Sequence, residues 1–372
     1  MTVPTNHNWP PQGYPPPGYP SGYPPPGYPA APGYPPPGYP GAGYPPLQPM
    51  ALEPGVIPLR PLTLSDIFNG AIRYIRANPK ATLGLTAAVV VLMQIIALLI
   101  QVGPLAAVGQ LSALHDAENA STGALVYSGV TTAIGQLGQM LVTIVLSGML
   151  TVVIGRAVFG SPITATQAWT AVKGRLLPLL GVALLEIVGA VIIIAAATAI
   201  TVGLAVAANP GVAFLIAAPL WLATIAVLIW LWTLLSFAPV IVVLERQALW
   251  PAIVRSVALV RNSFWRVLGI RLLTGLVTGV IAGAVAVPFS FTQLISAEGM
   301  SGSTTGLVVG AVLGAFGTVI GQIITAPFTA GVIVLLYTDR RIRAEAFDLV
   351  LRTGASAPTP GTETDALWLT GR

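Results

Sequence analysis

Six apolar stretches constrain this chain most: about 81–103, 131–155, 176–202, 213–244, 272–296 and 307–337. A run of roughly 20 apolar residues is long enough to cross a bilayer as a helix. The charged residues sort the segments between these runs. Arg60, Arg73, Arg76 and Lys80 precede the first, and Arg156, Lys173 and Arg175 lie between the second and third. Arg246, Arg255, Arg261, Arg266 and Arg271 lie between the fourth and fifth, and Arg340, Arg341, Arg343, Arg352 and Arg372 follow the sixth. The other three loops, about 104–130, 203–212 and 297–306, carry only Asp116, Glu118 and Glu298 as charges. All seventeen basic residues thus fall on one side of a six-span topology. Positive loops stay in the cytoplasm, so the expectation is a multi-pass protein of the cell (plasma) membrane with both termini cytoplasmic. The first apolar run begins too far along the chain for a cleavable signal, and is expected to remain as a signal anchor.

Composition agrees with a lipid-immersed chain. It is 55% hydrophobic and 8% charged, with a mean hydropathy of +0.81. The pI of 9.7 does not argue for nucleic acid. The bases sit at span ends, where they set orientation and meet anionic lipid. No cysteine is present, which removes disulfides, thiolate nucleophiles and sulfur metal ligands. Fifteen of the seventeen bases are arginine, and Ala, Gly, Val and Pro abound, a bias typical of high-GC bacterial genomes.

Residues 1–58 form a separate region. The octet GYPPPGYP occupies 13–20, 22–29 and 33–40, and tyrosines recur at Tyr14, Tyr19, Tyr23, Tyr28, Tyr34, Tyr39 and Tyr44. Proline fixes φ and lacks a donor, so neither helix nor sheet propagates, and a disordered chain of polyproline-II character is expected. Three readings stay open for it: a flexible spacer, tyrosine stickers that bind partners or self-associate, and a Pro-rich ligand for aromatic grooves.

The arginine-rich segments follow a pattern of their own. Leu64, Ile67, Phe68, Ala71, Ile72 and Ile75 have amphipathic-helix spacing, and Thr63 with Asp66 resembles a capping box. Ser161-Pro162 offers a cap and first-turn proline for a second short helix with Ile163, Trp169 and Val172. Trp250-Pro251 opens a third, with Ile253, Val254, Val257 and Val260. Each enters a span through a related phrase: Ala81 to Leu85, Pro178 to Val182, and Arg266 to Ile270. The fold expected is an all-α polytopic membrane protein of three elbow-plus-hairpin repeats. Interfacial elbows fall near 63–77, 162–175 and 250–265 of a membrane domain spanning 59–350. Residues 351–372 are expected to form a flexible cytoplasmic tail.

Within the spans, Gly275, Gly279 and Gly283 lie four apart, as do Gly306, Gly310 and Gly314. Small residues at that spacing let helices approach closely in lipid, either inside the hairpin or between copies in a homo-oligomer. Pro219, Pro239, Pro288 and Pro327 are candidate kinks. Glu186 is the one formal charge inside the expected spans, about ten residues or ~15 Å from the basic end. Gln94 and Gln322 fall at a similar depth, making the three a candidate intramembrane polar site. Such a carboxylate serves an interhelical hydrogen bond, a proton- or substrate-coupling site, or a cavity lining.

Enzyme signatures are absent. His115 with Asp116 and Glu118 lacks a second histidine or cysteine to close a metal site, and the other histidine is His7 in the tail. No G-x-S-x-G, P-loop, H-E-x-x-H or dinucleotide fingerprint occurs. No catalytic residue, metal or cofactor is expected, and the chain reads as a non-enzyme.

Four phrases carry a family resemblance. They are Leu62 to Ile67 before Asn78-Pro79, Ala238-Pro239 through Leu244-Glu245-Arg246, Arg255-Ser256 to Phe264-Trp265-Arg266, and Tyr337 to Arg343 with Glu345 and Asp348. Over about 60–350 the chain resembles actinobacterial membrane proteins of the glycerophosphoryl diester phosphodiesterase membrane domain family. The resemblance implies a six-span module without the separate soluble catalytic barrel of the family's bifunctional members, so no catalytic residue carries over. The leading expectation is a non-enzymatic scaffold or accessory protein whose tail and elbows meet cytoplasmic or membrane partners. The alternative is a transporter or lipid-handling protein with its site around Glu186. Beyond the bilayer itself, the expected partners are proteins rather than nucleic acid.

Overall fold

A computed structural model describes residues 55–58, 60–107, 122–207, 210–299, 304–355 and 362–369, and they are helical with no strand among them. The seven tail tyrosines, His115, Asp116 and Glu118 lie outside the described residues. Eleven α-helices follow in order: α1 (Leu64–Ala77), α2 (Leu85–Ala107), α3 (Thr122–Val158), α4 (Ala165–Lys173), α5 (Leu176–Ala207), α6 (Pro210–Leu234), α7 (Ala238–Leu244), α8 (Leu249–Arg261), α9 (Phe264–Gly299), α10 (Thr304–Glu345) and α11 (Phe347–Ala355). Five segments are long and apolar enough to cross a membrane: Lys80–Leu99, Leu176–Ala207, Gly211–Leu244, Phe264–Phe289 and Val312–Glu345. Among the described residues α3 contributes a shorter apolar stretch, Thr143–Val158. The chain is therefore an all-α polytopic membrane protein. The short helices α1, α4 and α8 each precede a pair of long ones.

Local chemistry accounts for the elbows, with corrections to their starts. The first begins as its sequence implies: the Asp66 N–H donates to Thr63 Oγ1 and the Thr63 N–H to Asp66 Oδ2, satisfying two orphan donors. Its apolar stripe does not merely lie on an interface. Ile67, Ala71 and Tyr74 are fully buried, with Tyr74 against Gly331 of α10, where a Cβ would lie 2.5 Å from the Tyr74 ring. Phe68 meets Phe328 edge-to-face at 5.4 Å. The second elbow starts at Ala165 rather than at Ser161-Pro162, because Thr164 and Gln167 form the better capping box. The third runs from Leu249 without a side-chain cap and ends at Asn262-Ser263, so α9 begins at Phe264 and already contains Arg266 and Arg271.

The fourth apolar stretch is two helices. It breaks at 235–237, where Pro239 enters the first turn of α7. Ser256 of α8 stitches that break by donating to the Leu234 carbonyl at 2.6 Å and accepting from the Phe237 N–H at 3.2 Å. Pro219, Pro288 and Pro327 instead stay inside continuous helices. The 42 residues of α10 reach ~63 Å at 1.5 Å per residue, about twice a ~30 Å hydrocarbon core. One end of α10 thus stands clear of the bilayer, and the dense core forms around it. Phe237, Ile241, Val260, Leu335 and Tyr337 are buried there.

Both expected tails are corrected at this core. Val56 and Ile57 are buried, and a Cβ on Gly55 would lie 2.3 Å from the Val158 carbonyl. The packed domain therefore begins by residue 55 rather than 59. At the other end α11 and a 3-10 turn, Thr362–Trp368, continue the fold. Trp368 is 2% exposed and packs on Phe159, Tyr337 and Phe347. Their gain in buried aromatic surface outweighs the entropy of a free tail.

The glycine stripe is placed otherwise than hairpin packing requires. Gly275, Gly279 and Gly283 are exposed, and a Cβ on any of them would meet nothing within 4 Å. Helix α9 approaches α10 instead through Gly317, against Phe289, and Gly321, against Ala282. Gly310 is buried, and the side of the stripe at Gly306 lies outside what is described.

Candidate functional site

Two polar clusters stand out. The first lies where α7, α8 and the end of α10 converge. Glu245 is fully buried, accepts from the Tyr337 hydroxyl and pairs with Arg255. Arg255 also reaches Glu345 at 2.8 Å, and Arg341 closes the set through Glu345 at 3.0 Å and the Trp368 carbonyl at 3.1 Å. Burial alone would lower the Arg255 pKa, but the hydrogen bond and charge of Glu245, with Glu345, hold it above its ordinary value. Asp339, also fully buried, accepts from the Leu62 N–H and from Arg343, both at 2.8 Å, and from Arg266 at 3.2 Å. Arg266 and Arg343 then donate to the Leu62 carbonyl. Every member finds a partner of opposite charge or a carbonyl, which makes this a closed lock between elements rather than an open reaction site.

The second cluster is a cavity. Glu186 of α5 lines a space of about 180 Å³ with Ser147 and Thr151 of α3, Trp232 of α6, Ser236 at the break after α6, and Arg271 of α9. Glu186 and Arg271 are within electrostatic range of each other. The Arg271 guanidinium lies 3.3 Å from the Trp232 ring centroid and donates to the Trp232 carbonyl at 2.6 Å, a cation–π and hydrogen-bond pair on one residue. The hydroxyls of Thr151 and Ser236 donate back to their own chain segments at 2.7 Å, which leaves their oxygens able to accept. Behind Glu186, Trp232 and Leu235 lies a larger groove of about 800 Å³. Apart from Glu186 and Arg261 its lining is apolar or aromatic, with Gly189, Leu228, Trp230 and Phe264.

The expected trio is not brought together. Gln94 on α2 and Gln322 on α10 are half-buried, and neither lines the cavity with Glu186. The companion that sequence reasoning missed is Arg271, assigned to a loop because the apolar run begins after it. Among the described residues no group of three or more His, Asp or Glu side chains is arranged to hold a metal ion.

The family model described as Domain of unknown function (DUF7847) matches residues 62–339, most of the chain. The chain belongs to that family. In DUF7847 terms, the matched region starts at Leu62 and ends at Asp339, the two partners of the hydrogen bond that closes the second half of the lock. Comparison with curated proteins and with solved structures returned no match.

Proposed function

We propose that this integral membrane protein binds a membrane amphiphile in the cleft between α5 and α6 and holds or moves it without transforming it. The carrying observation is that the apolar groove and the polar cavity share the wall formed by Glu186, Trp232 and Leu235. A carboxylate and a guanidinium with only a structural duty need neither space beside them. A mostly apolar groove with a few convergent polar groups is the usual form of a site for a small amphipathic ligand. Thermal denaturation in detergent with added lipid classes tests this. Wild type should be stabilised by an amphiphile, and Glu186→Gln should lose that gain while keeping its lipid-free stability. No gain for wild type, or an equal gain for the variant, would contradict the proposal.

A second reading concerns the tail. The three GYPPPGYP octets support a scaffold that recruits cytoplasmic or membrane protein partners, and it is compatible with the first. Because Val56 and Ile57 are buried, its test is removal of residues 1–54 alone, followed by crosslinking; unchanged partners would sink it. The phrases shared with the glycerophosphoryl diester phosphodiesterase membrane domain, and the missing catalytic motifs, support a non-enzymatic module. The one-sided distribution of bases supports a plasma-membrane protein with cytoplasmic termini.

A further inference from the structure

We infer that the cleft between α5 and α6 seats one phospholipid of net negative headgroup, its phosphate at Arg261 and an acyl chain over Gly189 and Ala190. This rests on the cleft reading above and names its ligand class. Ile253, Val257 and Arg261 along one side of α8 form a rim of the groove with Phe264. The groove then follows α5 from Leu185 to Ala190 and α6 from Leu234 back to Leu228, about 10 Å of helix. Those helices are spans, so what fills the groove comes from the bilayer and is apolar over that length.

Charge selects the head. Arg255, Arg266, Arg341 and Arg343 at the same end are each tied to a carboxylate. Arg261 is exposed and has no acidic partner among the described residues. A guanidinium at the rim of an apolar groove suits a phosphate, which it binds with two parallel N–H donors. The only carboxylate among the lining residues, Glu186, interacts with Arg271. The lining therefore holds no second carboxylate for the ammonium of a zwitterionic head.

Glycine at 189 leaves the space for the chain: a Cβ there would meet nothing within 4 Å. Gly189→Leu consequently enters the groove with no clash at its Cβ and removes a helix-weakening glycine. The test is native mass spectrometry of the full chain titrated with phosphatidylglycerol or phosphatidylcholine. Wild type should retain one phosphatidylglycerol roughly tenfold more tightly, the effect of about 1.4 kcal/mol. Arg261→Gln should remove the preference yet keep a bound lipid, and Gly189→Leu should lose both lipids while remaining folded. Equal retention by wild type, or a preference that survives Arg261→Gln, overturns the headgroup assignment and leaves the cleft reading standing. Lipid retention unaltered by Gly189→Leu overturns the cleft reading itself, as does a second copy of the chain found crosslinked across α5 and α6.

Discussion

Glu245 shows how a single residue can decide whether the end of this bundle closes. Its carboxylate is fully buried between Arg255, Arg341 and the Tyr337 hydroxyl. Removing one partner of a buried pair leaves uncompensated charge, so Glu245→Ala should lower stability by about 3–5 kcal/mol in thermal denaturation. Tyr337→Phe, which removes the hydroxyl that donates to Glu245 and accepts from Arg341, should lower it by about 1–3 kcal/mol. Asp66 gives the pH dependence. Burial pushes its carboxyl up, but the Thr63 hydrogen bonds and the charges of Arg60 and Arg73 hold it below the ordinary value. Its contribution to α1 is therefore present above the unfolded carboxylate pKa of about 4 and lost as pH falls through the lower folded value. The protection factors of the α1 amides should fall over that acid range in wild type, and the acid-dependent step should vanish in Asp66→Asn. Glu186 was readable as a lone charge in an apolar run. Arg271 was also within reach: aligning the phrase Arg266–Ile270 with Pro178–Val182 sets Arg271 opposite Ala183, inside the third span. A hydropathy boundary hid what the repeat register contained.

At the scale of elements, docking rather than amphipathicity holds the elbows. Gly331 is the point of closest approach between α1 and α10, with the Tyr74 ring and Ala71 within 3.0 Å of a built Cβ. Gly331→Leu should push α1 off α10. The chain has no cysteine, so a single cysteine at Ile67 reports this directly: protected in the wild-type background, labelled in the variant. Trp368 fastens the C-terminal turn, and Trp368→Ala should lower stability by about 3–5 kcal/mol, as large core truncations do. The long helices and the capping box at Thr63 were legible because apolar period and cap chemistry are local. The break at 235–237 and the ordering of Thr362–Trp368 were not, because Ser256 and the aromatic cage around Trp368 stabilise them from distant parts of the chain.

Over the whole molecule, charge is partitioned between a closed lock and an open cleft. The lock ties Leu62, Glu245, Arg255 and the end of α10 into one rigid cap. The cleft between α5 and α6 retains open volume beside Glu186 and Arg271. The most direct test of that contrast is photocrosslinking in native membranes from a benzophenone side chain placed at Leu228, inside the groove. A matched probe belongs at Val280 of α9, which is 65% exposed and outside the groove. A phospholipid seated in the cleft should give a defined adduct at Leu228, enriched over the mixed annular lipid captured at Val280. Identical lipid profiles at the two positions, or capture of protein at Leu228, would contradict it.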